Sequence, residues 1–209
     1  APTPPQIALQ DLLSNFNDIP LNTATPINID CLKYELRDYP DRLFDDNLIS
    51  SFINGFCIGY SGPEFSNISR NLSSAYSHTR DIFNCIVEEL KVGRMAGPFP
   101  TPPLSNFRTS PIGVVPKKDS AKFRMITDLS SPSGLSINDF IDDDQASVSF
   151  NNFDSAVAII ATLGRGALMA KLDIKSAFRI CPVRKQDWHY LGFSFLEHYF
   201  VDLCLPFGL

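Results

Sequence analysis

No apolar run in the sequence approaches the roughly 18 residues a membrane-spanning helix needs, which argues against an integral membrane protein. No Cys-x-x-Cys pair occurs either. The five cysteines (Cys31, Cys57, Cys85, Cys181, Cys204) are odd in number and widely spaced, so neither a disulfide framework nor a zinc site organises the chain. A reducing intracellular compartment, cytoplasm or nucleus, is the expectation. The opening APTPPQIALQ shows no basic stretch followed by an apolar one, so no secretory signal is read there. A Gly-x-x-x-x-Gly-Lys phosphate loop and a Gly-x-Ser-x-Gly elbow are missing, which leaves ATPase and serine-hydrolase readings without a basis. His78, His189 and His198 stand at no zinc-binding spacing and read as core or surface residues, and the single Trp188 reads as packing.

What is present is a globular composition. The chain has 209 residues, 44% hydrophobic and 20% charged, enough for one large domain or two small ones with a sizeable core. A net charge of −5 runs against a nucleic-acid partner if taken as an average. The distribution says more. Residues 1–100 hold 7 cations and 12 anions, while residues 101–209 hold 11 of each. In that second part, Arg108, Lys117, Lys118, Lys122 and Arg124 face only Asp119, and Arg165, Lys171, Lys175, Arg179, Arg184 and Lys185 face only Asp173. Two local basic surfaces suit a phosphate-bearing ligand, and they also suit two solvated faces.

The pattern along the chain predicts α+β, with helices first and antiparallel hairpins later. Residues 1–35 are a proline-rich, loosely ordered lead-in, and 36–96 a helical extension. In that extension a helix is predicted from Pro40, in its first turn behind Asp38, with Leu43, Phe44, Leu48, Ile49, Phe52, Ile53 and Phe56 at helical spacing, ended by Gly59 and Ser61-Gly62-Pro63. A second helix is predicted over 74–92, with Gly93 beyond its end. The run Gly97-Pro98-Phe99-Pro100-Thr101-Pro102-Pro103 suggests a joint, after which 97–209 form the next unit. Residues 111–116 and 123–128 read as a hairpin with a charged turn, 153–163 as an apolar helix, and 167–172 as a buried strand delivering Asp173. The stretches 190–195 and 198–203 read as a last hairpin.

Asp173 is the focus of the chemistry. A carboxylate at a strand end is a hard oxygen ligand suited to Mg²⁺, and the small Ser176 and Ala177 let backbone N–H groups approach phosphates. An Asp there can equally cap the strand, and Phe178 can equally be core. The cations of the 117–124 turn could clamp phosphates, Arg in bidentate fashion.

Taken in order, three segments resemble a reverse transcriptase. They are Ser110-Pro111-Ile112-Gly113-Val114-Val115-Pro116-Lys117-Lys118-Asp119-Ser120-Ala121-Lys122-Phe123-Arg124, then Leu172-Asp173-Ile174-Lys175-Ser176-Ala177-Phe178-Arg179, then Leu205-Pro206-Phe207-Gly208-Leu209. Phrases such as Gly93-Arg94-Met95-Ala96-Gly97-Pro98-Phe99 and Val201-Asp202-Leu203-Cys204-Leu205-Pro206 are similar to those of DIRS, or tyrosine-recombinase, retrotransposon enzymes. The resemblance implies right-hand polymerase fingers and an incomplete palm. It implies Asp173 as a catalytic metal ligand with the Ile174 carbonyl beside it, and two Mg²⁺ ions (or Mn²⁺) in the complete enzyme. It implies Lys117, Arg124, Ser176, Ala177, Phe178 and Phe207 around an incoming deoxynucleoside triphosphate, Phe178 acting as the sugar gate. Lys118, Lys122, Pro206 and Gly208 would face an RNA or DNA template with its primer, and element-encoded proteins would be further partners. The family's Tyr-x-Asp-Asp hairpin has no counterpart before Leu209, and Asp142-Asp143-Asp144 read as a solvated loop rather than a substitute. One metal ligand, and no polymerisation by this piece alone, is the expectation. A non-catalytic nucleic-acid or protein interaction module derived from such an enzyme is the alternative.

Overall fold

Helix α1 (Ile29–Glu35) starts where the Asn28 side chain accepts the Cys31 N–H, and α2 (Arg42–Asn54) starts where Asp41 accepts that of Phe44. The computed structural model to which these elements belong describes residues 25–117, 123–142, 144 and 150–209. The lead-in before residue 25 lies outside the described residues. Part of what reads as loose lead-in is helical, because Asn28 supplies a cap and Asp30 sits favourably in the first turn. Helix α2 stops at Gly55, short of the expected end at Gly59, because the Phe56 N–H turns away to donate to the Pro182 carbonyl. Its apolar face is not core: Leu43, Phe44 and Ile53 are exposed, and Asp45 is its buried residue. Asp45 is held by Arg42 at 2.6 Å.

The predicted helix over 74–92 is two helices, α3 (Ser73–Ser77) and α4 (Thr79–Lys91), broken at His78, whose ring sits 4.1 Å from that of Phe123. Ile82, Ile86 and Leu90 of α4 are buried against Met95, Ile112, Val114, Phe193 and Phe200. The apolar stripe at helical spacing therefore does what its periodicity demands. Gly93, with φ 72°, lets the chain turn out of the helix into a strand.

Strand β1 (Met95–Phe99) corrects the expected joint. It pairs antiparallel with β5 (His198–Asp202), which also pairs with β4 (Gly192–Phe195), giving the order β1-β5-β4. Pro98 can occupy a strand because β1 is an edge, where a missing N–H breaks no central ladder. Gly97 (φ 129°) is required: a Cβ there would lie 2.7 Å from Phe200 Cδ1 and 2.8 Å from the Tyr199 carbonyl. A boundary between residues 96 and 97 would cut through this strand. Strands β2 (Ile112–Pro116) and β3 (Phe123–Thr127) form the expected hairpin, in register from Ile112↔Thr127 to Pro116↔Phe123. The last hairpin is also as read, turning at Leu196 and Glu197, both at positive φ.

Helix α5 (Phe153–Leu163) forms where its pattern places it, with Asn152 accepting the Ser155 N–H. None of its residues is buried. The strand expected at 167–172 is absent. That segment has no regular structure, and Leu168, Met169 and Leu172 are exposed. A strand needs a neighbour for its N–H and C=O groups, and among the described residues none pairs with it. A second core joins Ile58, Phe107, Leu129, Ile137, Val183, Trp188, Leu191 and Leu203, drawing the segment around Ile58 together with residues 183–203. Trp188 is packing, its indole N–H donating to the Val183 carbonyl at 2.7 Å. The fold is α+β, a mixture of helices and antiparallel sheet.

Candidate functional site

Three parts of the chain far apart in sequence meet at one cleft of about 730 Å³. The β2–β3 hairpin contributes Lys117, Arg124, Met125 and Thr127. The segment after Asp173 contributes Lys175, Ser176 and Arg179, and the C-terminal segment contributes Pro206 and Phe207. Helix α4 and its exit close the remaining side with Cys85, Glu88, Glu89, Lys91, Val92 and Arg94, and Asp202 of β5 lies at the floor. The hairpin places Arg124 opposite Val115, so its exposed side chain leaves the ladder toward the opening. There the guanidinium stands over the Phe207 ring, 5.4 Å from its centre.

The charges divide into two sets. At the floor, Arg94 makes a two-pronged pair with Glu89, Nε and Nη2 each donating at 2.9 Å. Arg179 donates to the same carboxylate from Nε and Nη2 at 3.1 and 2.9 Å, and its Nη2 lies 2.6 Å from Asp202 Oδ1. That last contact is an ion pair off the direction of an aligned hydrogen bond. Burial alone would depress the Arg179 pKa, but Asp202 and Glu89 hold it above the usual arginine range. Burial pushes Asp202 up, against the lowering pull of Arg179. Around the rim, Lys91, Lys117, Arg124 and Lys175 are exposed beside the exposed Glu88, and these cations make no ion pair among the described residues. The floor is thus internally compensated and the rim carries the surplus positive charge, an arrangement that attracts a phosphate-bearing anion. Cys85 also lines the cleft, its thiol pushed up by burial.

Of the residues expected at the nucleotide, Lys117, Arg124, Ser176 and Phe207 line this cleft, as does Pro206. Phe178 stands beside it, its exposed ring edge-on to that of Phe207 at 5.5 Å. Ala177 opens the short 3-10 turn Ala177–Ile180, entered through Ser176 in the left-handed conformation (φ 57°). Gly208 (φ 104°) is held outside the lining, its carbonyl accepting from Asn138 Nδ2 at 2.7 Å. Lys118 and Lys122 lie outside the described residues.

Asp173 and Ile174 are not brought into the cleft. Both are exposed on the irregular segment that replaces the predicted strand. Among the described residues no group of three or more His, Cys, Asp or Glu side chains could hold a metal ion. Asp142 and Asp144 are exposed, the Asp142 carboxylate accepting the Asp144 N–H, and Asp143 lies outside the described residues. The side chains described therefore do not by themselves make a site for two Mg²⁺ ions, whose ligands need rigid support.

Sequence reasoning did not single out Glu89, Arg94 and Asp202. Asp202 carried a signal nonetheless: a lone carboxylate inside Phe200-Val201-Asp202-Leu203 is a charge in an apolar strand, and such a charge needs a partner.

No protein-family model matches the chain, and no curated protein does. Among solved structures, native prototype foamy virus protease–reverse transcriptase is similar at 16% identity and a TM-score of 0.49, over 91% of this chain and 26% of that one. The foamy viral protease–reverse transcriptase in complex with double-stranded DNA is similar at 17% identity and a TM-score of 0.46, over 91% of this chain and 40% of that one. The same enzyme in complex with an RNA/DNA hybrid gives 16% and 0.45. The chain spans about a quarter to two fifths of the length of these enzymes. Among the described residues no helix is long and apolar enough to cross a membrane.

Proposed function

We propose that the chain is the fingers and first palm segment of an RNA-directed DNA polymerase, and that the cleft receives the triphosphate of an incoming deoxynucleotide. One observation carries this reading. The three segments that resemble reverse-transcriptase motifs, separated by some tens of residues each, supply Lys117 and Arg124, Ser176, and Pro206 and Phe207 to a single cleft. An accidental resemblance gives no reason for those segments to converge. The rim cations hold phosphate oxygens, Arg124 by paired N–H donors and the lysines as point charges. The Phe178–Phe207 pair forms an apolar wall where a sugar and base would rest. The retrotransposon assignment, and the DIRS likeness within it, rest on the quoted phrases. Template, primer and element-encoded proteins are partners this reading brings with it.

In the complete enzyme Asp173 would act as a metal ligand, alongside carboxylates the described residues do not provide. Mg²⁺ would then supply activation of the primer hydroxyl and charge neutralisation at the phosphates. The role of this chain is to bind and orient the nucleotide. The test is primer extension by the full-length protein with template–primer, Mg²⁺ and deoxynucleotides. Synthesis is expected in the wild type and none in Asp173→Ala; synthesis that survives the substitution would sink the assignment.

A further inference from the structure

Arg179 is the first firmly held side chain after a long exposed stretch. Residues 168–175 are all exposed, and the chain then reverses through Ser176, whose carbonyl accepts the Arg179 N–H at 2.8 Å. Arg179 itself is 7% exposed, and all three of its guanidinium nitrogens are engaged. Nε and Nη2 reach Glu89 on α4, Nη2 also faces Asp202 on β5, and Nη1 donates to the Cys204 carbonyl at 3.3 Å. One planar fork thus joins the helix, the sheet and the chain leading to Phe207. Phe178 is its immediate neighbour, on the same 3-10 turn.

We infer that Arg179 is a positioning residue, a latch that ties the Ile174–Ile180 segment to α4 and β5 and so sets where Ser176 stands in the cleft and Phe178 beside it. The placement of Phe178 follows from this latch, because its own ring is half-exposed and meets only Phe207 among the aromatic rings described. An ammonium cannot do the same work. A lysine at 179 retains the charge but offers a single head group, which can serve one carboxylate well and not both together with a carbonyl. Arg94 keeps its own grip on Glu89, so the floor of the cleft persists when the latch is weakened.

The latch rests on the polymerase reading only for its consequence at the nucleotide, and the experiment separates the two. In hydrogen–deuterium exchange on the full chain, Arg179→Lys is expected to speed exchange across Ile174–Ile180 about tenfold, while Ile82–Leu90 keeps wild-type rates. Glu89→Gln, which leaves Arg179 in place with one partner weakened, is expected to give a smaller change in the same peptides. Unchanged exchange in both variants would overturn the latch. In the full-length polymerase, Arg179→Lys is expected to raise the KM for deoxynucleotides roughly tenfold with kcat within about twofold, a split that general destabilisation does not produce. An unchanged KM would overturn the positioning role. If the wild type extends no primer while the exchange arm behaves as stated, the polymerase reading falls and the latch stands.

Discussion

Replacing Arg124 by Gln removes one of four rim cations without touching the core. Its side chain is exposed, and its backbone partner in the ladder, Val115, is unaffected, so stability should stay within about 0.5 kcal/mol of wild type. The effect on a bound triphosphate is larger. A unit charge at 4 Å is worth about 1 kcal/mol in water-like surroundings, and a hydrogen bond to a charged group about 1.5–3 kcal/mol. These contributions overlap, and the exposure of Arg124 holds the sum near the low end, at about 1.5 kcal/mol. That corresponds to roughly tenfold weaker binding. Arg124→Lys keeps the charge but loses the paired donors and the flat contact with Phe207, 5.4 Å away, and should lose roughly threefold. The assay is fluorescence anisotropy of a labelled deoxynucleoside triphosphate titrated with the chain. The wild-type advantage should shrink between about 0.1 and 1 M salt, as the screening length falls from about 10 to about 3 Å. If Arg124→Gln binds as tightly as wild type with an unchanged melting curve, the cleft is not the triphosphate site.

Two further expectations concern the fold that carries the cleft. Phe200 is fully buried and stacks on Phe193 with ring centres 5.2 Å apart, so Phe200→Ala should cost about 3–5 kcal/mol, read as a lowered urea midpoint; a loss under about 1 kcal/mol would mean that this core is not packed as described. Burial holds the His189 pKa below its usual 6.5, with Arg108 pulling the same way and Glu64 and Asp187 opposing. The unfolded chain therefore takes up the proton first as pH falls, and stability present above about pH 6.5 is lost below it. Thermal melts from pH 8 to pH 5 should show this loss in the wild type and a flatter profile in His189→Phe; identical profiles would refute it.

Much of this was legible in the residues. The β2–β3 hairpin, the turn at Leu196-Glu197 and the apolar stripe Ile82, Ile86, Leu90 all follow from local periodicity, and the structure forms each where the pattern places it. The resemblance named Lys117, Arg124, Ser176, Pro206 and Phe207, five of the sixteen residues that line the cleft, and left the rest to the geometry. Two expectations failed for related reasons. Gly97-Pro98 reads as a breaker in isolation, yet it completes an edge strand, because β5 offers a partner and an edge tolerates proline. Ala167–Leu172 reads as a buried strand in isolation, yet among the described residues nothing pairs with it.

Hydrophobic period, capping side chains and turn chemistry act over a few residues, so the buried stripe of α4 and the pairing of both hairpins were determined by sequence alone. Which charges neutralise one another was not. Glu89 and Arg94 are neighbours at the end of α4, but Arg179 and Asp202 come from two distant stretches, and only the packing of α4 against the sheet brings all four within ion-pairing distance. The same packing leaves Lys91, Lys117, Arg124 and Lys175 at the rim without an ion pair among the described residues. A net charge of −5 therefore coexists with a cleft whose rim is rich in cations, because charge acts through distance in space, and only the tertiary structure sets those distances.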